Sequence, residues 1–180
     1  MGIVLDFQKK RRRLVARRAF QNWVRRFSDH FDENTTLAGL SDTALGSLIR
    51  GGEEDLLPIY DFILGVLGWG GGGHFYDLEG SEKMYVMDIS LFLLDQLRFE
   101  SMKRLGWVED FPTRHIFLLD LVEQYGEHFS SRRHETPFLS PTHPFYGEYE
   151  KTFEGDRGLF IRRLIPDALQ AYIKRESEKS

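Results

Sequence analysis

Cysteine is missing from this chain of 180 residues. Its absence excludes disulfide bonds, zinc–thiolate sites, iron–sulfur clusters and thiol catalysis. The absence also fits a reducing compartment, and no secretory signal pattern begins the chain, so we expect a cytoplasmic protein. No apolar run approaches the roughly 18 residues that a membrane-spanning helix needs, and no transmembrane segment is predicted.

The sequence also contains few of the patterns that predict β-strands. The chain has no long alternating run of β-branched residues and no Asn-Gly or Asp-Gly hairpin turn. Hydrophobic residues make up 41% of the chain and aromatic residues 14%, which is the composition of a globular protein. We predict a single all-α domain over residues 1–180, an irregular bundle of five to six helices with few or no strands.

Apolar side chains recur at helical spacing along most of the chain. The longest such segment, about residues 82–105, is apolar nearly all round in its first half and is predicted as the central helix of the bundle. Three prolines between residues 130 and 145 predict a long loop. The remaining predicted helices are a basic amphipathic helix at about 7–27 and helices at about 42–50, 53–67, 112–129 and 156–176, the last with a break or kink at Pro166.

Charge is distributed unevenly. Residues 1–27 carry nine basic side chains and one acidic side chain, a net charge of +8. The other 153 residues carry 15 basic and 27 acidic side chains, a net charge of −12, which gives −4 for the whole chain. This segregation predicts that the N-terminal helix meets an acidic surface of its own chain, of a second copy or of another partner.

The N-terminal helix supports three interpretations. Phe20, Trp23 and Phe27 lie on one face, which can dock on the domain or associate with a second subunit. The basic residues within 9–26 can instead neutralise nucleic-acid phosphates. The same face can also lie on an anionic membrane. The predicted partner-binding residues are Arg11, Arg12, Arg13, Arg17, Arg18, Phe20, Trp23 and Phe27.

A glycine-rich run, residues 68–73, follows the predicted third helix. It lacks the Lys of a phosphate-binding P-loop and does not follow a strand, so a flexible interhelical loop is favoured over phosphate binding. A His and two acids come directly after it, a residue set that can bind a divalent metal or transfer protons. The candidate pocket residues are Trp69, His74, Tyr76, Asp77 and Glu79.

Other polar clusters are weaker candidates. Asp88 and Asp95 share one side of the predicted central helix, and three acids share a face within residues 120–127, but the Glu-x-x-His pattern of helical metal sites is absent. We therefore expect salt bridges or solvated faces there, and neither a bound metal nor a cofactor. In the proline-rich loop, His134 and His143 lie near Arg132 and Arg133, which can recognise an anion but are more ordinarily loop charges.

No motif is specific enough to name a reaction. The leading hypothesis is a non-enzymatic interaction or regulatory module that self-associates as a homo-oligomer through its N-terminal helix. Nucleic-acid binding through residues 9–26 is the first alternative. A metal-assisted enzyme around His74, Asp77 and Glu79 is the second.

Overall fold

The computed structural model describes residues 2–180, with the side chains of residue 4 and of residues 6–180. Met1, the first residue of the predicted domain, lies outside this range. Over the described range, α-helices are joined by short 3₁₀ and π turns, and only two isolated β-bridges occur, so the all-α prediction is confirmed. The helices are α1 (Gly2–Phe27), α2 (Asp42–Leu48), α3 (Glu53–Leu67), α4 (Gly80–Arg104), α5 (Leu118–Glu123), α6 (Tyr146–Lys151) and α7 (Arg157–Lys179).

Local capping sets several of these boundaries. The Ser41 side chain accepts a hydrogen bond from the Ala44 backbone N–H over 3.1 Å at the start of α2. Gly68 ends α3 in the left-handed region with φ 76°, a conformation that other residues adopt only with strain. The chain turns there, and the Trp69 N–H returns to the Leu64 carbonyl over 2.9 Å.

The core lies around α3 and α4. Helix α3 packs against α1, α2, α4 and α5, and α4 also packs against α2 and α7. Phe62 and Ile63 of α3 and Ile89 and Leu93 of α4 are buried in the shared apolar cluster. Helix α4 is not covered all round, however, since Met84, Met87 and Leu91 are exposed on its outer side. Of these three, Leu91 lines a groove between α4 and α7.

The predicted helix 112–129 is interrupted. A 3₁₀ turn over Pro112–His115 precedes α5, and a π turn over Tyr125–Phe129 follows it. Phe117 pairs with Thr36 in a β-bridge, and the Leu118 N–H donates to the Thr35 carbonyl over 2.8 Å. This pairing holds the backbone extended just before α5, which prevents a continuous helix.

The C-terminal third of the chain differs from the predicted helices in two further places. Helix α6 forms directly after the proline-rich loop, where no helix was predicted. Helix α7 continues through Pro166 without a break, although that proline has no N–H to donate. Pro166 is exposed, so the missing backbone hydrogen bond lies on the solvent-facing side of α7.

Candidate interaction surface on the N-terminal helix

Helix α1 is docked on α3 by one apolar face. Ala16, Ala19, Phe20 and Trp23 recur at helical spacing on this face and are buried. The Trp23 Nε1–H donates to the Pro58 carbonyl over 2.7 Å, which satisfies the one polar atom of the indole. Phe20 and Trp23, predicted among the partner-binding residues, therefore belong to the core and are closed to a partner of the folded chain.

Phe27, at the end of the same face, is half-buried. Its ring meets Trp23 edge-on at a centroid distance of 6.1 Å and meets Phe31 in the same way at 6.4 Å. These contacts hold the C-terminal end of α1 against the following loop. Most of the area that Phe27 could offer to a partner is thus used within the chain.

Three of the five predicted partner-binding arginines are also engaged by their own chain. Their contacts are Arg12 with Asp120 at 2.8 Å, Arg13 with Glu33 at 3.1 Å and Arg18 with the Gly65 carbonyl at 2.6 Å. The Arg18 contact places a cation beside the last turn of α3, where the helix dipole favours positive charge. Together these contacts fix which side of α1 faces outward.

The outward side of α1 combines apolar and basic side chains. Phe7 and Leu14 are seven residues apart, so they lie on one side of the helix, and they are 70% and 64% exposed. Arg11 and Arg17 are exposed beside them, and neither forms an ion pair with the part of the chain that the structure describes. We call this set the outer face of α1. Its exposed basic residues are Lys10, Arg11, Arg17 and Arg25.

The sequence pattern at 20–27 identified the docked face and missed the outer one. Phe7 and Leu14 are separated by lysines and arginines in the sequence, so the composition of this segment does not reveal that the two lie on one side of the helix. Their spacing of seven was the available signal, because residues seven apart stack after two helical turns. A chain with apolar residues on two opposite sides of a helix can bury one side and present the other.

The glycine-rich segment folds back on α3. The Gly72 N–H donates to the Asp61 carboxylate, and the Phe75 ring stacks on Tyr60 at a centroid distance of 3.9 Å. A Cβ at Gly72 would lie 2.6 Å from the Asp61 carboxylate and 2.9 Å from the Leu57 carbonyl. Close packing against α3, and not a phosphate, is therefore what requires glycine at this position.

The candidate pocket residues all lie on the surface. His74 Nδ1 lies 3.7 Å from Asp77 Oδ2, and both side chains are exposed. Trp69, Tyr76 and Glu79 are exposed as well. Within residues 2–180 no group of three His, Asp or Glu side chains is arranged to hold a metal ion. The hypothesis of a metal-assisted enzyme at this segment thus lacks an assembled set of ligands.

The acidic residues considered between helices are ion-paired. Arg133 lies 3.6 Å from Asp88, and Arg162 pairs with Asp95. Asp120 is held by Arg12 of α1. These contacts agree with the expectation of salt bridges at Asp88 and Asp95.

Sequence reasoning missed a buried polar network between α4, α2 and α7. Glu100 is fully buried and accepts hydrogen bonds from Arg104 Nε over 2.7 Å and from Arg114 Nε over 2.6 Å. Arg104 also reaches Asp42 over 2.9 Å, and Asp42 accepts from the Tyr172 hydroxyl over 2.7 Å. The spacing of four between Glu100 and Arg104 was the only local sign of this network.

Burial and hydrogen bonding together set the pKa values in this network. Burial raises the pKa of Asp42, but hydrogen bonds from Tyr172, Arg104 and Lys179 outweigh it and hold that pKa well below its ordinary value. Burial and the bond to Asp42 raise the pKa of the Tyr172 hydroxyl. The groups satisfy one another, which is the arrangement expected of a structural network and not of a reacting site.

Of the histidines in the proline-rich loop, His143 is buried. Its ring meets Trp107 edge-on at 4.9 Å, and its Nδ1 accepts from the Phe145 N–H over 3.2 Å. Burial lowers the pKa of His143, which favours the neutral imidazole that accepts this bond. His143 therefore orders the loop before α6.

None of the described helices is both long and apolar enough to cross a lipid bilayer. No protein-family model matches the chain, and neither a curated protein nor a solved structure is significantly similar to it.

Proposed function

We propose that the protein is a non-enzymatic helical interaction module that self-associates through the outer face of α1. One observation carries the proposal: Phe7 and Leu14 are exposed on the same side as Arg11 and Arg17, which have no ion pair within the described chain. Burying an exposed side chain of this size contributes about 1.5–3 kcal/mol. The flanking cations favour an acidic partner surface and speed the encounter.

A second copy of the chain offers such a surface. The segment 145–156, which runs from the residue before α6 to the start of α7, carries Phe145 and Phe153 on its exterior, and Phe153 is 76% exposed. One lysine and four acids are exposed in the same segment, namely Lys151, Glu148, Glu150, Glu154 and Asp156. Acidic and aromatic side chains thus occur together here, as basic and apolar ones do on the outer face of α1.

The test uses charge reversal on each surface. Arg11→Glu with Arg17→Glu changes the outer face, and Glu150→Lys with Glu154→Lys changes the acidic segment. We expect wild-type protein to associate in analytical ultracentrifugation and each double variant to be shifted toward monomer. Arg50→Glu changes an exposed arginine two residues beyond the end of α2; it is a control for charge reversal away from both surfaces and leaves association unchanged. Thermal unfolding of every variant checks that the fold is intact.

Mixing the two double variants is the decisive arm. One variant retains the acidic segment and the other retains the outer face, so only a mixture contains a complete wild-type contact. We expect the mixture to regain association that neither variant shows alone. A monomeric wild type, or a mixture that stays monomeric, contradicts the proposal.

Nucleic-acid binding through residues 9–26 is the second candidate, favoured by the exposed basic side chains in this part of α1. It requires affinity that falls steeply with salt, because each neutralised phosphate releases counterions. Arg11→Glu with Arg17→Glu would abolish binding to a labelled DNA duplex, whereas the acidic-segment variant would bind normally. Only the self-association hypothesis predicts that both double variants are impaired.

We also propose a cytoplasmic location. The absence of cysteine supports it, since a reducing compartment offers no stabilisation by disulfides. Fluorescence microscopy of the tagged chain tests this, and accumulation in a membrane-bounded compartment contradicts it.

A further inference from the structure

A groove of about 500 Å³ lies between α4, the beginning of α7 and the residues that follow the π turn. Its volume is in the range that encloses a small organic molecule. Leu91 of α4 and Leu159 of α7 contribute apolar surface to it and are 59% and 55% exposed. Arg98, Arg133 and Arg162 line it too.

The charges in this groove are unequally matched. Asp88 lies 3.6 Å from Arg133, and Asp95 pairs with Arg162. Arg162 is fixed further by a bond to the Arg133 carbonyl over 3.2 Å. Two arginines and two aspartates thus neutralise one another, and the described part of the chain gives the remaining arginine, Arg98, no such ion pair.

Arg98 is incompletely satisfied as well as unpaired. Its Nε is buried and has no hydrogen-bond acceptor. Its Nη2 is packed on the turn after α2, where a Cβ at Gly51 would lie 2.6 Å away. Desolvation lowers the pKa of Arg98, although nearby Asp95 opposes this shift. Partial removal of a guanidinium from water without an anion beside it costs free energy, and an anion in the groove that Arg98 lines reduces this cost.

We propose that this groove binds a small organic carboxylate with an apolar body, its acid group on Arg98 and its body against Leu91 and Leu159. One unpaired guanidinium supplies one positive charge, which matches a carboxylate. A phosphate monoester would bring a second negative charge close to Asp88 and Asp95. This site is separate from the outer face of α1 and does not depend on self-association.

The test uses decanoate as the probe, with isothermal titration calorimetry on the full-length protein at fixed ionic strength. We expect saturable one-to-one binding by wild-type protein and no measurable binding of acetate. Octanoate is expected to bind on the order of tenfold more weakly, because it buries two fewer CH₂ groups. Decanol, which has the chain without the charge, is expected to lose about tenfold in affinity through the missing charged hydrogen bond.

Two variants locate the site. Arg98→Gln removes the cation and is expected to weaken decanoate binding about tenfold or more. Leu91→Glu puts a carboxylate at an exposed position of the groove and is expected to weaken it by at least as much with an unchanged melting temperature. If Arg98→Gln perturbs folding, the affinity of Leu91→Glu for decanoate tests the proposal instead. Arg26→Gln, an exposed position on α1 outside the groove, is the matched control. Absent binding to wild-type protein, or equal affinity in Leu91→Glu, overturns the proposal.

Discussion

At the scale of single residues, Glu100 is the position at which burial of a charge has to be compensated most completely. A carboxylate with no exposed surface is stable only when cations or hydrogen-bond donors bind it, because its removal from water costs several kcal/mol. Arg104 and Arg114 supply those donors from two sides. If one partner is removed, the others remain buried with an unmatched charge, so this triad is sensitive to each of its members.

We therefore expect Glu100→Gln to lower the free energy of unfolding by roughly 3–5 kcal/mol, the cost of breaking a buried ion pair from one side. Urea unfolding followed by circular dichroism measures the change. Glu109→Gln removes the same charge at an exposed position and serves as the control, with a change of less than about 0.5 kcal/mol. Equal stabilities of the two variants would show that the triad is not a stabilising unit.

Asp42 gives the fold a defined pH dependence. Because its folded-state pKa is below its unfolded value, its contribution is fully present above the unfolded pKa of about 4 and is lost as the pH falls below that value. We expect the urea midpoint of wild-type protein to decrease below about pH 4, and less steeply in Asp42→Asn. Parallel profiles for the two proteins would contradict this role of Asp42.

At the scale of elements, the contact between α1 and α3 depends on a glycine. A Cβ at Gly65 would lie 2.6 Å from the Ala19 Cα, so the two helices approach too closely for any larger residue. The same approach brings the Arg18 guanidinium onto the Gly65 carbonyl. Small residues facing each other thus set both the separation of the helices and the direction of the outer face.

Gly65→Ala is accordingly expected to destabilise the fold by about 1–3 kcal/mol through overpacking, despite the better helix propensity of alanine. Gly147→Ala is the control, because a Cβ at this helical glycine meets nothing within 4 Å. It should leave stability unchanged or raise it slightly. Chemical unfolding of both variants provides the measurement, and a Gly65→Ala protein as stable as Gly147→Ala would show that α1 can shift at no cost.

Helical periodicity identified the long elements because it is a local property of the sequence. Helix α4 begins and ends close to the predicted positions, and α1 ends as predicted but begins at Gly2, five residues before the predicted start. The break before α5 could not be predicted, because it depends on backbone pairing between Phe117 and Thr36, which are 81 residues apart. The lack of an ion pair at Arg98 could not be predicted for the same reason. The neighbouring sequence does not show which carboxylates form ion pairs with other arginines.

At the scale of the whole molecule, positive charge is concentrated on one helix, and the remainder of the chain is acidic. Where α1 is docked, part of this positive charge is paired with Asp120 and Glu33. The rest remains on the outer face together with Phe7 and Leu14. Self-association through this face should therefore combine a salt-sensitive electrostatic part with a salt-insensitive apolar part.

Salt titration separates these two parts. The Debye length falls from about 10 Å at 0.1 M to about 3 Å at 1 M ionic strength, so we expect the association constant of wild-type protein to fall across that range. Phe7→Ser with Leu14→Ser should associate more weakly at every salt concentration but keep the same slope, because its charges are intact. Sedimentation velocity measures both quantities. Association that strengthens with salt would instead point to an apolar contact elsewhere, since screening weakens attraction between opposite charges and leaves apolar burial in place.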